Sequence, residues 1–329
     1  MAIDISTNYA GLTLKSPVIA SSSSLTGKPQ KIEEMAKAGA GAIILKSIFE
    51  EQIIMEVDSE RVNNMYGNYP DTENYVSFYT KKHNVDEYIN LIRSAKNNTD
   101  VPIVASINCI SVSEWVEFAE KAQDAGADAL ELNMFILPGN IEQNGEEVEN
   151  IYKQIIHEVS PLLKIPLTLK IHYYFSGMAN MLYQLAEHEK VKGLVLFNRF
   201  YNTDIDINKK KLTNASIFSA PTDISMPLRW TGIVADKINV DIAISTGIHD
   251  GEAVVKGLLA GAKVTQAATA LYKKGVDYIG EMNTFLKEWM EKNEYERIED
   301  FRGLLAQKNI NRPELFERSQ FMKYFSDYN

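Results

Sequence analysis

Eight short apolar runs, each bounded by Gly, Pro or Asp, constrain the fold of this 329-residue chain more than any other feature. They are PVIA (17–20), AIIL (42–45), PIVAS (102–106), ALELN (129–133), LTLKI (167–171), LVLFN (194–198), IAIST (242–246) and VTQAA (264–268). Each is too short for a stable helix and rich in Val, Ile and Leu, which suits a buried strand. Between them lie helical patterns such as KIEEMAKAG, WVEFAEKAQDAG, MLYQLAEHEK and AVVKGLLAG. Alternating strands and helices imply parallel strands joined by right-handed crossovers. Eight such units favour a closed (β/α)8 barrel, a TIM barrel, over an open sheet. A short β extension is expected before the first strand, and a tail from about Tyr295 is expected to pack outside the barrel. Barrels of this length are commonly one domain, so residues 1–329 are expected to form one.

The tripeptide Ala-Gly-Ala recurs just before three strands, at 38–40, 125–127 and 260–262. Glycine there can take the left-handed conformation that ends a helix. GAGAII at 39–44 looks like a nucleotide loop but precedes a strand and follows a helix, the reverse of the dinucleotide arrangement. The segment from Phe49 to Lys82 reads as one long connection, the kind that forms a lid or site wall.

The net charge of −10 argues against a nucleic-acid partner. No run of about eighteen apolar residues is present, so no membrane-spanning helix is expected. The N-terminus lacks the basic and apolar regions of a signal peptide. Cys109 is the only cysteine, which excludes an internal disulfide and a cysteine-based zinc site and suits a reducing, cytoplasmic location. No metal site is expected.

Chemistry in such a barrel gathers at the C-terminal ends of the strands. Those ends read Ala20-Ser21, Lys46-Ser47, Ser106 to Asn108, Asn133, Lys170 to His172, Asn198-Arg199, Ser245-Thr246-Gly247 and Ala268-Thr269. Buried lysines are rarely kept without a partner. Asparagine presents a donor and an acceptor in one plane, suited to the edge of a polar ring, and lysine stabilises negative charge on a heterocycle. The loops after strands seven and eight fall where barrels often hold a phosphate.

With these residues in view, the chain resembles the dihydroorotate dehydrogenases, especially the cytosolic class 1 enzymes and the dihydroorotate dehydrogenase-like proteins among them. The carrying motifs are LTLKSPVIASSS, AGAGAIILKSIFEEQI, PIVASINCISVSEW, AGADALELN, IPLTLKI, LVLFNRFYNTDIDI, PLRW, STGIHDGEAVVKGLLAGAKVTQAATALYKKG and WMEKNEYERIEDFRG. The resemblance covers about residues 3–305. It implies an FMN flavoprotein that oxidises dihydroorotate to orotate in pyrimidine biosynthesis. By position, Ala20, Ser21, Lys46 and Ser47 would line the flavin, with Asn133 and Lys170. Lys170 would stabilise negative charge near N1 and O2. Thr246, Gly247, Ala268 and Thr269 would cradle the phosphate. Lys46, Asn63, Met65, Asn133, Asn198 and Arg199 would meet a dihydropyrimidine-like substrate. A homodimer is expected. The sequence leaves the electron acceptor open: fumarate would suit the cytosolic dimeric subclass, and a nicotinamide would need a partner flavin and iron–sulfur subunit, since no cysteines here could ligate a cluster.

The sequence departs from that pattern. The family commonly has two glycines where this chain has Thr246-Gly247, and Gly-Thr where it has Ala268-Thr269. Arg199 stands where a small hydroxyl residue is usual, and it would either reach an anionic substrate group or form a structural ion pair. The largest departure is LELNMFILPGN (130–140). Within three residues of the strand-four asparagine the family places a Cys or Ser base; here Phe135 and Ile136 occupy the matching positions, and Ile136 takes the usual base position. General base catalysis typically contributes about 10²–10⁴-fold. His172 and Cys109 are the substitute bases to consider, with Lys46 as a further catalytic residue and Tyr201 a weaker candidate. The apolar run Met134–Leu137 would be a dry lid, a pocket wall, a partner-binding patch, or a loop folded into the core. Alternative readings are an FMN oxidoreductase for another substrate, a non-catalytic flavin-binding subunit, and a barrel using Lys170 as a Schiff-base lysine.

Overall fold

The computed structural model describes residues 3–51, 70–108, 112–199 and 203–318. An antiparallel hairpin, β1 (Thr7–Tyr9) and β2 (Leu12–Leu14), comes first. Then follow β3 (Val18–Ala20), β4 (Ile43–Ile44), β5 (Ile48–Phe49), β6 (Ile103–Asn108), β7 (Ala129–Asn133), β8 (Leu167–Ile171) and β9 (Val191–Leu196). A second antiparallel hairpin, β10 (Thr203–Asp206) and β11 (Lys211–Asn214), precedes β12 (Asp241–Ser245) and β13 (Val264–Ala267). Parallel neighbours run β3, β4, β6, β7, β8, β9, β12, β13 and back to β3, so eight strands close the expected barrel. β5 continues the line of β4 along β6.

The helices that wrap it are α1 (Pro29–Lys37), α2 (Pro70–Asn98), α3 (Val112–Asp124), α4 (Gly145–Val159), α5 (Met178–Ala186), α6 (Ser225–Val234), α7 (Gly251–Ala260), α8 (Thr269–Lys274) and α9 (Tyr278–Lys292). All three Ala-Gly-Ala glycines are left-handed, with φ of 93° at Gly39, 98° at Gly126 and 115° at Gly261. One expectation needs correction: residues 70–82 are not loop but the first turns of α2. The sequence Pro-Asp-Thr-Glu at 70–73 is a sound helix start, with proline at the first position and acids in the first turn. Residues 52–69 of that segment lie outside the described residues.

The barrel interior is layered by the two-residue period of its strands. Ile19, Ala42, Ile44, Val104, Ala129, Val195, Ala243 and Val264 form one apolar cluster with Tyr9, Ala10 and Leu14 of the N-terminal hairpin, which plugs that end. Two residues further along these strands come Ser21, Lys46, Ser106, Glu131, Phe197, Ser245 and Gln266, a mostly polar layer. The tail packs outside, as expected, as far as residue 318. Tyr295 and Phe301 join Trp289 in a ring cluster, and the N–H groups of Gly303 and Leu305 donate to Leu258 and Leu259 of α7. Among the described residues, no helix is long and apolar enough to cross a membrane.

Candidate active site

A cavity of about 710 Å³ opens at the C-terminal ends of the strands. Its wall brings together Ser21, Lys46, Ser47, Asn133, Lys170, Asn198, Arg199, Thr246, Gly247, Ala268 and Thr269, all named from the sequence. A cavity of this size is typical for a cofactor or substrate.

Lys170 closes the floor. β8 delivers it inward beside Asn133 of β7, its register partner. The ammonium donates to Ser21 Oγ at 3.0 Å and Gln266 Oε1 at 2.9 Å, and lies 3.8 Å from Glu131 Oε1. Gln266 Nε2 in turn donates to Glu131 Oε2 at 2.9 Å. Burial pushes the Lys170 ammonium pKa down, and the Glu131 charge opposes that shift. Neither Glu131 nor Gln266 was anticipated from the sequence. The available signal was period two: each sits mid-strand, two residues before a rim position, as a polar break in an apolar run.

On the wall, Ser47 is the hub. Its hydroxyl meets Ser106 at 2.7 Å and Ser22 at 3.0 Å, and accepts from Asn133 Nδ2 at 3.4 Å. Asn198 Nδ2 donates to Asn133 Oδ1, and Asn198 Oδ1 accepts from the Arg199 N–H. The two asparagines thus share one face, leaving amide groups for a flat polar ring. Lys46 is exposed at this rim.

Opposite lie Thr246 and Gly247, with φ of 77° and 78°. The Thr246 hydroxyl donates to the Phe197 carbonyl. Thr269 Oγ1 accepts from the Ser219 N–H and hydroxyl, and Ser219 Oγ meets His249 Nε2 at 2.9 Å. Ser219 and His249 were not singled out from the sequence, because their loops meet only in three dimensions.

Arg199 forms an ion pair while also lining the cavity. Its guanidinium lies 3.4 Å from Asp223 and donates to the Ile217 and Ser216 carbonyls, which pins the loop that follows β11. The apolar run after Asn133 is mostly folded in. Met134 is buried, Ile136 packs on the core and donates its N–H to Tyr152 Oη, and Phe135 sits against His172. Leu137 alone of the four is well exposed. His172 is not on the cavity wall; Tyr173 and Tyr174 stack beside it, and burial lowers its pKa to about 4. Ala20 lies in the core behind the wall. Asn63, Met65, Cys109 and Tyr201 lie outside the described residues.

Over residues 4–290 the chain matches the family described as dihydroorotate dehydrogenase. It is similar to the Thermoplasma volcanium protein named "Dihydroorotate dehydrogenase B (NAD(+)), catalytic subunit", at 26% identity over 318 residues, covering 93% of this chain and 99% of that one. Proteins of the same name from Pyrococcus furiosus (26% over 310 residues, 91% and 97% covered) and Methanocaldococcus jannaschii (27% over 305 residues, 86% and 94% covered) are similar too.

Proposed function

Because this chain belongs to the dihydroorotate dehydrogenase family and is an oxidoreductase acting on a CH–CH donor, we propose that it binds FMN and oxidises dihydroorotate, or a close dihydropyrimidine, in pyrimidine biosynthesis. The observation that carries this reading is a buried lysine on the floor of a cavity walled by two hydrogen-bonded asparagines.

The donor set fits a flavin mononucleotide. Lys170 offers a fixed positive charge where a ring would rest, and Ser21 and Ser47 offer hydroxyls at its edge. Thr246, Gly247, Ala268 and Thr269 line the side suited to the phosphate. When bound, FMN supplies the hydride acceptor. Asn133 and Asn198 then orient the substrate ring, and Lys46 neutralises an anionic substituent at the open rim.

The proton that leaves the substrate carbon needs an acceptor, and neither Phe135 nor Ile136 can take it. Burial lowers the His172 pKa to about 4 and the ring is not on the cavity wall, both of which count against it as the base. Cys109 follows directly on β6 in the sequence, so it is the base to test first. The same departure favours a second reading, an FMN oxidoreductase with another substrate.

We place the chain in the cytoplasm on its single cysteine. A homodimer is supported by the exposed Ile205 and Leu212, register partners on β10 and β11, with Ile207 beside them.

An anaerobic visible spectrum before and after adding dihydroorotate tests the reading. A two-peaked flavin spectrum that bleaches is expected, and Cys109→Ala should slow the bleaching about 10²-fold or more. An unchanged flavin spectrum moves the reaction to another substrate. A colourless protein that FMN cannot reconstitute overturns the proposal.

A further inference from the structure

Beneath the cavity floor sits a carboxylate to which the proposed reaction gives no part. Glu131 points inward from the middle of β7 and is fully shielded from solvent. It reaches Lys170 twice, directly at 3.8 Å and through the amide of Gln266. The direction of that amide follows from chemistry. The ammonium only donates, so it takes the amide oxygen; the carboxylate only accepts, so it takes the amide nitrogen. Glu131 Oε1 has no hydrogen-bond partner. The Gln266 bridge, oxygen toward Lys170 and nitrogen toward Glu131, together with the 3.8 Å approach, suits a charged pair.

Burial works against a charged lysine, and removing one partner of a buried pair leaves the other uncompensated. We propose that Glu131 is a positioning residue for Lys170: its charge and the Gln266 bridge hold the lysine protonated and anchored at the cavity floor. Ser21 and Gln266 take two of its three N–H groups, which leaves the third to be shared between Glu131 and an occupant of the cavity. The stabilisation of negative charge on a bound ring is thus set from below the floor, by a residue that does not line the cavity. Only the identity of that ring rests on the proposed function.

Other titratable groups near the pair do not compete for this role. Tyr9 from the plugging hairpin and Tyr88 from α2 face Glu131, and burial beside it keeps both phenols protonated. Asp241 of β12 accepts the Ala10 N–H at the plugged end. Lys46 and Arg199 share the cavity with Lys170 but stand at its rim.

Competitive acetylation of the apo-protein with acetic anhydride, read at Lys170 by mass spectrometry across pH, tests the proposal, because only a neutral amine reacts. Wild-type Lys170 should be protected at pH 7 and become reactive only in the alkaline range. In Glu131→Gln the midpoint should fall by about one pH unit or more. Glu131→Asp, which keeps the charge, should retain most of the wild-type midpoint. A wild-type Lys170 already neutral at pH 7, an unmoved midpoint in Glu131→Gln, or an aspartate variant that behaves like the glutamine one would each overturn it. The wild-type reading stands whether or not a variant folds. FMN titration of the same samples separates the two ideas: a shifted midpoint in a protein that never binds flavin keeps the ion pair and rejects the proposed function, and flavin binding with no shift does the reverse.

Discussion

Thr246 holds a backbone angle that a β-branched residue rarely takes, at a cost on the order of 1–3 kcal/mol. Its hydroxyl bond to Phe197 returns about 1 kcal/mol of that. Thr246→Gly should therefore leave the urea midpoint near wild type. Gly247 next to it has no such freedom, since an added Cβ would stand 2.2 Å from the Ile224 nitrogen, so Gly247→Ala should destabilise by several kcal/mol, about 3 or more. His172 carries a pH signature. Its pKa falls from 6.5 to about 4 on folding, mainly through desolvation, so the fold favours the neutral ring. The stability it contributes is complete above pH 6.5 and is lost as pH falls toward 4. Melting temperatures across that window should drop less steeply in His172→Phe than in wild type. The rim lysines and asparagines were readable in the sequence because each ends a strand. Glu131 was harder to see, because a carboxylate inside an apolar run reveals its purpose only when its partner, 39 residues away on another strand, is beside it.

At the level of elements, local signals were reliable where the chain makes its own hydrogen bonds. The Ala-Gly-Ala device ended three helices, as its glycines require. The three are not equal in packing. An added Cβ at Gly261 would lie 2.5 Å from Ala235 Cβ, while at Gly126 it would meet open space. Gly126→Ala should cost about 1 kcal/mol from backbone strain alone, and Gly261→Ala at least twice that, in denaturant unfolding. The start of helix α2 was concealed because Asn68, Tyr69 and Pro70 look like the end of a loop, so residues 70–82 were read with the connection before them.

For the whole molecule, the two hairpins leave the barrel in different ways. The first fills the barrel's lower end, with Leu14 fully buried, so Leu14→Ala should cost about 2–5 kcal/mol by chemical denaturation. The second exposes Ile205 and Leu212. If that face joins two copies, the double substitution Ile205→Asp with Leu212→Asp should yield a monomer in sedimentation while leaving the melting temperature of the barrel little changed. The amino-acid sequence by itself determined the alternation of strand and helix, the closure of eight parallel units and the residues at the strand ends, because period, length and capping are local properties of a chain. Tertiary structure alone decided which rim groups touch. It seated Arg199 on Asp223 at the cavity wall, folded most of the apolar run after Asn133 into the core, and set Glu131 beneath Lys170. Those pairings join residues far apart in the chain, and their energies depend on distance and burial, which exist only once the barrel has closed.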